Sequence, residues 1–170
     1  MNWVIAPLDS SFERAQFDCG DDALNRFIRQ HARQQQDKHL GQTRVAVAEG
    51  LRQVMGFYTL SAGSIGFQSL GEQLRRKLPK YPIPAARLGR LAVDKGAQGQ
   101  GLGHKLLAHA FTAVVELSGK IGITVMVVDA KDEKAATFYR RFGFISCQDQ
   151  PLALYLMTET LCGAQFRRLG

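Results

Sequence analysis

The stretch Arg87-Leu-Gly-Arg-Leu-Ala-Val-Asp-Lys-Gly-Ala-Gln98-Gly99-Gln100-Gly101-Leu102-Gly103-His104, continued by Lys105-Leu-Leu-Ala-His-Ala-Phe-Thr-Ala-Val-Val115, decides the fold of this 170-residue chain. Its first part reads as a short strand over Ala86–Asp94. Lys95 to Gly101 then form a loop, and the remainder reads as a helix whose buried side carries Leu102, Leu106, Leu107, Ala110, Val114 and Val115. A glycine-rich loop that opens into a helix points backbone amides and the helix N-terminus at one place, which favours an anion. Glycines suit such a loop because side chains there would hold phosphate oxygens away from the amide donors.

Two familiar phosphate loops do not fit. A nucleoside-triphosphate loop needs Gly-Lys followed by Ser or Thr, whereas Gly103 is followed by His104, Lys105 and Leu106. A dinucleotide fold places Gly-x-Gly-x-x-Gly in its first strand-to-helix turn, whereas glycines 99, 101 and 103 follow two earlier strands.

Those strands are Thr43–Ala48 and Gln53–Ser61, a hairpin turning near Gly50. Ahead of them an amphipathic helix spans Asp21–Gln35, with Leu24, Phe27, Ile28 and His31 on one face and Asp21 or Asp22 as its cap. Residues 70–81 predict a short helix ended by Pro79, Pro82 and Pro84. Downstream, Ile121–Asp129 is an apolar, β-branched run suited to a strand covered on both faces. A helix over Asp132–Phe142 closes at Gly143, and Leu152–Met157 completes the series. Two strands, then strand, helix, strand, helix, strand, describe an α/β domain with a mixed sheet covered by helices. The length suits one domain over residues 1–170.

Composition narrows the class. With 45% apolar and 22% charged residues the chain is ordinary globular protein, neither disordered nor fibrous. Met1–Ser10 has no basic leader and no stretch reaches membrane-spanning length, so a soluble cytoplasmic protein without membrane partners is expected. Cys19, Cys147 and Cys162 form no Cys-x-x-Cys pair for zinc or redox work, and no metal site is expected. Net charge is +7. Basic residues gather at Arg26, Arg29 and Arg33, at Arg75–Lys80, at Arg87 and Arg90, at Arg140 and Arg141, and at Arg167 and Arg168, a distribution compatible with a polyanionic partner.

The spacing Gln98-x-x-Gly101-x-Gly103 resembles the acyl-CoA signature of the GCN5-related N-acetyltransferase (GNAT) superfamily. The likeness extends through Leu88–Val93, Val127-Val-Asp129 and Ala135-Ala-Thr-Phe-Tyr-Arg-Arg-Phe-Gly-Phe144. It implies a GNAT fold, with a mixed, mostly antiparallel central sheet flanked by helices and acetyl-CoA held where the fourth and fifth strands splay. Carried over by position, the backbone of Leu91, Ala92 and Val93 would pair with the pantetheine arm as an added strand. The amides of Gln98, Gly99, Gln100, Gly101, Leu102, Gly103 and His104 would hold the pyrophosphate. Asp129 would help place the cofactor or orient the amine. Tyr139 would be the general acid for the departing thiolate, since a phenol with an ordinary pKa near 10 is protonated at neutral pH. His31, His39, His104 and His109 are scattered, and none is assigned as a base.

A closer likeness covers nearly the whole chain. Phe17-Asp-Cys-Gly-Asp-Asp-Ala-Leu-Asn-Arg-Phe-Ile28, His31-Ala-Arg-Gln34, Gly56-Phe-Tyr-Thr-Leu-Ser61, Tyr81-Pro-Ile-Pro-Ala-Ala-Arg-Leu-Gly-Arg-Leu-Ala-Val-Asp-Lys95 and Asp149-Gln-Pro-Leu-Ala-Leu-Tyr-Leu156 resemble the acetyltransferase toxins of bacterial toxin–antitoxin pairs. That resemblance implies transfer of an acetyl group to the α-amine of aminoacyl-tRNA, a block of translation, a homodimer and a ribbon-helix-helix antitoxin. Arg75, Arg76, Lys77, Lys80, Arg87 and Arg90 are the candidate tRNA contacts. Two other readings stay open at this point: an acetyltransferase for a small-molecule or protein amine, and a nucleic-acid-binding protein with a vestigial CoA site.

Overall fold

The computed structural model describes residues 1–169, with side chains described through Gly163; the side chains of Arg167 and Arg168 lie outside that description. Seven strands form one sheet: β1 (Trp3–Pro7), β2 (Gln42–Ala48), β3 (Gly56–Ile65), β4 (Ile83–Val93), β5 (Val125–Asp129), β6 (Ile145–Ser146) and β7 (Ala153–Met157), in the order β1-β2-β3-β4-β5-β7-β6. β1–β2, β2–β3, β5–β7 and β6–β7 pair antiparallel, and β4–β5 pair parallel. The helices are α1 (Asp22–Arg26), α2 (Ala32–Asp37), α3 (Glu72–Arg75), α4 (Leu102–Ser118), α5 (Glu133–Arg140) and α6 (Thr158–Leu169). The mixed, mostly antiparallel sheet with helices is the architecture expected from the sequence. Among the described residues no helix is long and apolar enough to cross a membrane.

The chain divides into two compact units: residues 1–61 with 89–111, and residues 62–88 with 112–170. β3, β4 and α4 each begin in one and end in the other. The first unit is centred on Phe17, Phe27, Ile28, Val45, Val54 and Phe57, with Phe17 meeting the Phe57 ring edge-on at 5.4 Å. Asp21 caps α1 by accepting from the Leu24 amide at 3.1 Å. Between α1 and α2 the residues Phe27–His31 form a turn of π-helix. The wider turn advances the buried face, so Ala32 is buried and His31 is exposed, a correction to the expected face. Asn25 is also buried. It accepts from the Cys19 amide at 2.8 Å and donates to Asp18 at 3.0 Å, which meets the requirement that buried polar groups be paired.

Three strands, not two, precede the central motif. β1 is short and ends on Pro7, so it offers little periodicity to read, yet it pairs with β2 from Trp3↔Ala48 to Pro7↔Arg44.

The second unit packs Leu70, Ile83, Ala85, Val125, Val127 and Tyr155 together. The helix expected over 70–81 shortens to the four residues of α3. β4 starts at Ile83 and contains Pro84 instead of following it. Pro84 is exposed and its carbonyl still accepts from the Thr124 amide at 3.0 Å, so the missing N–H is tolerated. β5 begins at Val125; Gly122 and an exposed Ile121 mark the lead-in as loop. Val125 to Val128 are buried, as a strand covered on both faces requires. β6 and α6 have no counterpart in the sequence reading. Cys19, Cys147 and Cys162 are free thiols.

Candidate active site

The glycine loop is built by its own flanks. Asp94, at the end of β4, accepts from the Gly96 amide at 2.8 Å and the Asp18 amide at 2.9 Å, and its own amide donates to the Met55 carbonyl at 2.8 Å. Gln98 turns its side chain inward: Nε2 donates to the Val93 carbonyl at 2.9 Å and the Cys19 carbonyl at 3.2 Å. Gln100 Nε2 reaches the Gly96 carbonyl at 3.2 Å. The side chains of Gln98 and Gln100 are therefore spent on holding the loop, which leaves its backbone amides available to a ligand.

Gly99 and Gly101 hold φ of +78° and +80°, left-handed values that L side chains rarely adopt. A Cβ at either would project into open space. These residues fit a pyrophosphate: two strained positions need glycine although nothing in the fold presses on them. Beyond them the first amides of α4 lack intrahelical acceptors, the usual anion-binding end of a helix. Leu102 anchors that end by being buried, while His104 stands exposed in the first turn.

The β4–β5 ladder runs from Ala85↔Val125 to Leu88↔Val128. β4 itself continues to Val93, so Leu91, Ala92 and Val93 lie past the last β5 partner, where an extended ligand arm could pair with them.

In the second unit, α5 is capped by Asp132, which accepts from the Ala135 amide at 2.8 Å. Tyr139 lies on its last turn between two rings, Phe138 at 5.3 Å and Phe144 at 5.5 Å, both edge-on. It is only 7% exposed, and burial pushes its phenol up to about 12. Among the described residues its hydroxyl has no hydrogen-bond partner. Tyr139 is thus a protonated donor at any physiological pH.

At the end of the β4–β5 ladder, Arg87 forms an ion pair with Asp129. Both line a recess of about 180 Å³, together with Ser69, Cys147, Asp149 and Gln150. Burial first, then the negative charges of Asp149 and Asp129, push the Cys147 thiol up, which keeps it protonated and makes it a poor nucleophile. Asp149 and Ser69 were not identified from sequence. They meet only across 80 residues of chain, by a hydrogen bond of 3.2 Å.

The basic candidates separate. Arg75, Arg76, Lys77 and Lys80 share one stretch of the second unit, with Arg75 donating to Gln68 at 2.8 Å and Arg76 pairing with Glu72 at 2.9 Å. Arg87 serves Asp129. Arg90, in the first unit, lies 3.7 Å over the Phe27 ring, and burial lowers its pKa. His109 meets the Tyr58 hydroxyl through Nδ1 at 2.7 Å, an internal contact in the first unit.

Comparison with known proteins agrees with this arrangement. A family model for the acetyltransferase (GNAT) domain matches residues 41–146. A tRNA-acetylating toxin of Mycobacterium tuberculosis (strain ATCC 25618 / H37Rv) is 33% identical over 143 residues, 84% of each chain. The crystal structure of a tyrosine-to-phenylalanine mutant of KacT superposes with a TM-score of 0.92 at 32% identity, covering 96% of this chain and 99% of that one. AtaT complexed with acetyl-methionyl-tRNAfMet matches with a TM-score of 0.88 at 34% identity over 94% of this chain and 97% of its own. A tyrosine-to-phenylalanine mutant of AtaT, bound to the C-terminus of the antitoxin AtaR and to acetyl-CoA, matches at 0.80 and 33% identity over 94% and 95%. A glycine loop, a register that frees the end of β4 and a family match over most of the chain lead to one conclusion: this chain belongs to the GNAT acetyltransferase family.

Proposed function

We propose that this protein is a toxin N-acetyltransferase that transfers acetyl from acetyl-CoA to the α-amine of aminoacyl-tRNA and so blocks translation. It works as one domain in the bacterial cytoplasm, as a homodimer, and is neutralised by a ribbon-helix-helix antitoxin. The relatives named above support the substrate, the acyl donor and the antitoxin; the dimer, the antitoxin type and the compartment follow from the family likeness.

When bound, acetyl-CoA supplies an acyl group already activated as a thioester. The amides from Gln98 to His104 hold its pyrophosphate, and the backbone of Leu91, Ala92 and Val93 aligns its pantetheine arm. Asp129 keeps Arg87 in place at the end of the ladder. Tyr139 holds a proton on Oη for the leaving sulfur. The attacking amine must be neutral, and no side chain is assigned to take its proton.

The observation that carries the tRNA reading is the fixing of the Arg75–Lys80 stretch to the recess. Ser69 donates to Asp149, the Gln148 amide donates to the Ser69 carbonyl at 3.3 Å, and the Gly71 amide donates to the Tyr155 hydroxyl at 3.2 Å. Four cations thus follow, beginning six residues after Ser69, from a chain segment held at the rim of the recess, a layout that suits an RNA-borne amine. Incubation with labelled acetyl-CoA and total charged tRNA tests this. Label should follow the aminoacyl group after deacylation; label confined to free amines or protein, with acetyl-CoA shown to bind, refutes it.

A further inference from the structure

The recess of the second unit has a composition that acetyl transfer alone does not explain. Its lining is mixed, with Ile65 of β3, Val127 of β5 and Ala153 of β7 set among polar groups that make up the larger share of its surface. Its rim is polar, with Ser69, Asp149 and Gln150. A concave recess in which apolar side chains are joined by convergent polar groups can take a small ligand group, and the polar share here suits one that is not purely hydrocarbon. At about 180 Å³ it is close to the ~150 Å³ of a protein cavity that accepts benzene, so it holds one small or medium side chain and no more.

The charges around it do not cancel. Arg87 is paired with Asp129, so that couple contributes nothing net. Asp149 has the Ser69 hydroxyl as its hydrogen-bond partner and, among the described residues, no cation at ion-pair distance. One guanidinium against two carboxylates leaves the recess with one negative charge.

The parts of an aminoacyl-tRNA can then be assigned by their chemistry. Its phosphates need cations, and Arg75 to Lys80 supply them. The uncharged or charged side chain of its amino acid needs a recess, and the Ser69–Asp149 bond fixes to the rim of this one the chain that leads, six residues on, into the basic stretch. Resting on the aminoacyl-tRNA reading above, we infer that this recess receives the side chain of the esterified amino acid, and that Asp149 makes it accept neutral and basic side chains and turn away acidic ones.

Glutamine and glutamate, or asparagine and aspartate, differ in charge and scarcely in shape, so they isolate the effect. Like charges meeting at a solvent-exposed rim repel modestly, and the expected preference is about three- to tenfold, not absolute. The test charges one tRNA body with each of the four amino acids and measures kcat/KM with the full-length protein and acetyl-CoA. Glutaminyl over glutamyl and asparaginyl over aspartyl should be favoured by about that factor. Asp149→Asn should bring both ratios to within about twofold, and Asp149→Lys should invert them. Ratios near one in the unsubstituted protein, or ratios that Asp149→Asn leaves unchanged, overturn the inference. If no charged tRNA is acetylated, the acceptor reading itself has failed. Calorimetric binding of amide-linked glutaminyl- and glutamyl-adenosine then still decides the recess: a glutaminyl preference lost in Asp149→Asn upholds it, and equal binding overturns it.

Discussion

Replacing Tyr139 by phenylalanine removes one oxygen and little else. The ring sits between Phe138 and Phe144, and its hydroxyl donates to nothing among the described residues, so no hydrogen bond is broken and no partner is orphaned. Stability should change by less than about 1 kcal/mol in either direction, because the ring packing is kept and the hydroxyl loses no protein partner. Affinity for acetyl-CoA, which the proposed reading assigns to backbone groups of the other unit, should be unchanged. Turnover is another matter, since a positioned general acid is worth about 10² to 10⁴ in rate. The phenol near 12 also refines the role. It is about 3.5 units weaker as an acid than an ordinary thiol near 8.5, so complete transfer to a free thiolate would be uphill by roughly 5 kcal/mol. On the proposed reading, Tyr139 would act chiefly as a hydrogen-bond donor to the charge developing on sulfur, with the amine's own proton completing the exchange. Single-turnover acetylation with pre-bound acetyl-CoA should fall about a hundredfold or more, with Kd within about twofold. A single-turnover rate within threefold of the unsubstituted protein would remove Tyr139 from this part.

Three further outcomes follow from the same geometry. Because burial raises the folded-state pKa of Tyr139 from 10.0 to about 12, the unfolded chain ionises first as pH rises; its contribution to stability is complete below pH about 10 and is lost toward pH 12. Chemical denaturation across that range should show a downward slope that is reduced in Tyr139→Phe. Gly101→Val forces a left-handed φ on a branched residue, which costs about 1–2 kcal/mol by thermal or urea unfolding, and it should weaken acetyl-CoA binding at least tenfold; binding as tight as before would remove the loop from the cofactor site. Arg90→Ala should destabilise the protein by about 0.5–2 kcal/mol through the lost Phe27 contact, whereas Lys80→Ala should leave stability unchanged and reduce the salt dependence of tRNA binding; the opposite assignment would show that Arg90 is the RNA contact.

The stretch from Arg87 to Phe144 was legible because each of its elements is signalled locally. Glycines mark the loop, Leu102, Leu106 and Leu107 mark one helix face, and Val125 to Val128 mark a doubly covered strand. What escaped depends on distant partners or on broken periods. β1 is five residues ending on proline, and the π-turn at Phe27–His31 shifts a helical face by one residue without a compositional sign. Arg90 reads as a free cation until Phe27, 63 positions earlier in the chain, is found beneath it. The recess is invisible for the same reason, since Ser69, Arg87, Val127 and Asp149 are brought together only by the sheet.

The side chain of Gln98 has a consequence for how the signature itself is understood. Its amide ties the carbonyl of Val93, on one side of the loop, to that of Cys19, in the lead-in to α1. The first letter of the motif is thus a rivet between chain segments 79 residues apart. The side chain can thus serve the loop's shape while the same residue's backbone amide faces the ligand. Losing it would surface as slack: a loop that must be ordered at every encounter, with slower capture of the nucleotide end and an entropic penalty on binding in place of a missing contact.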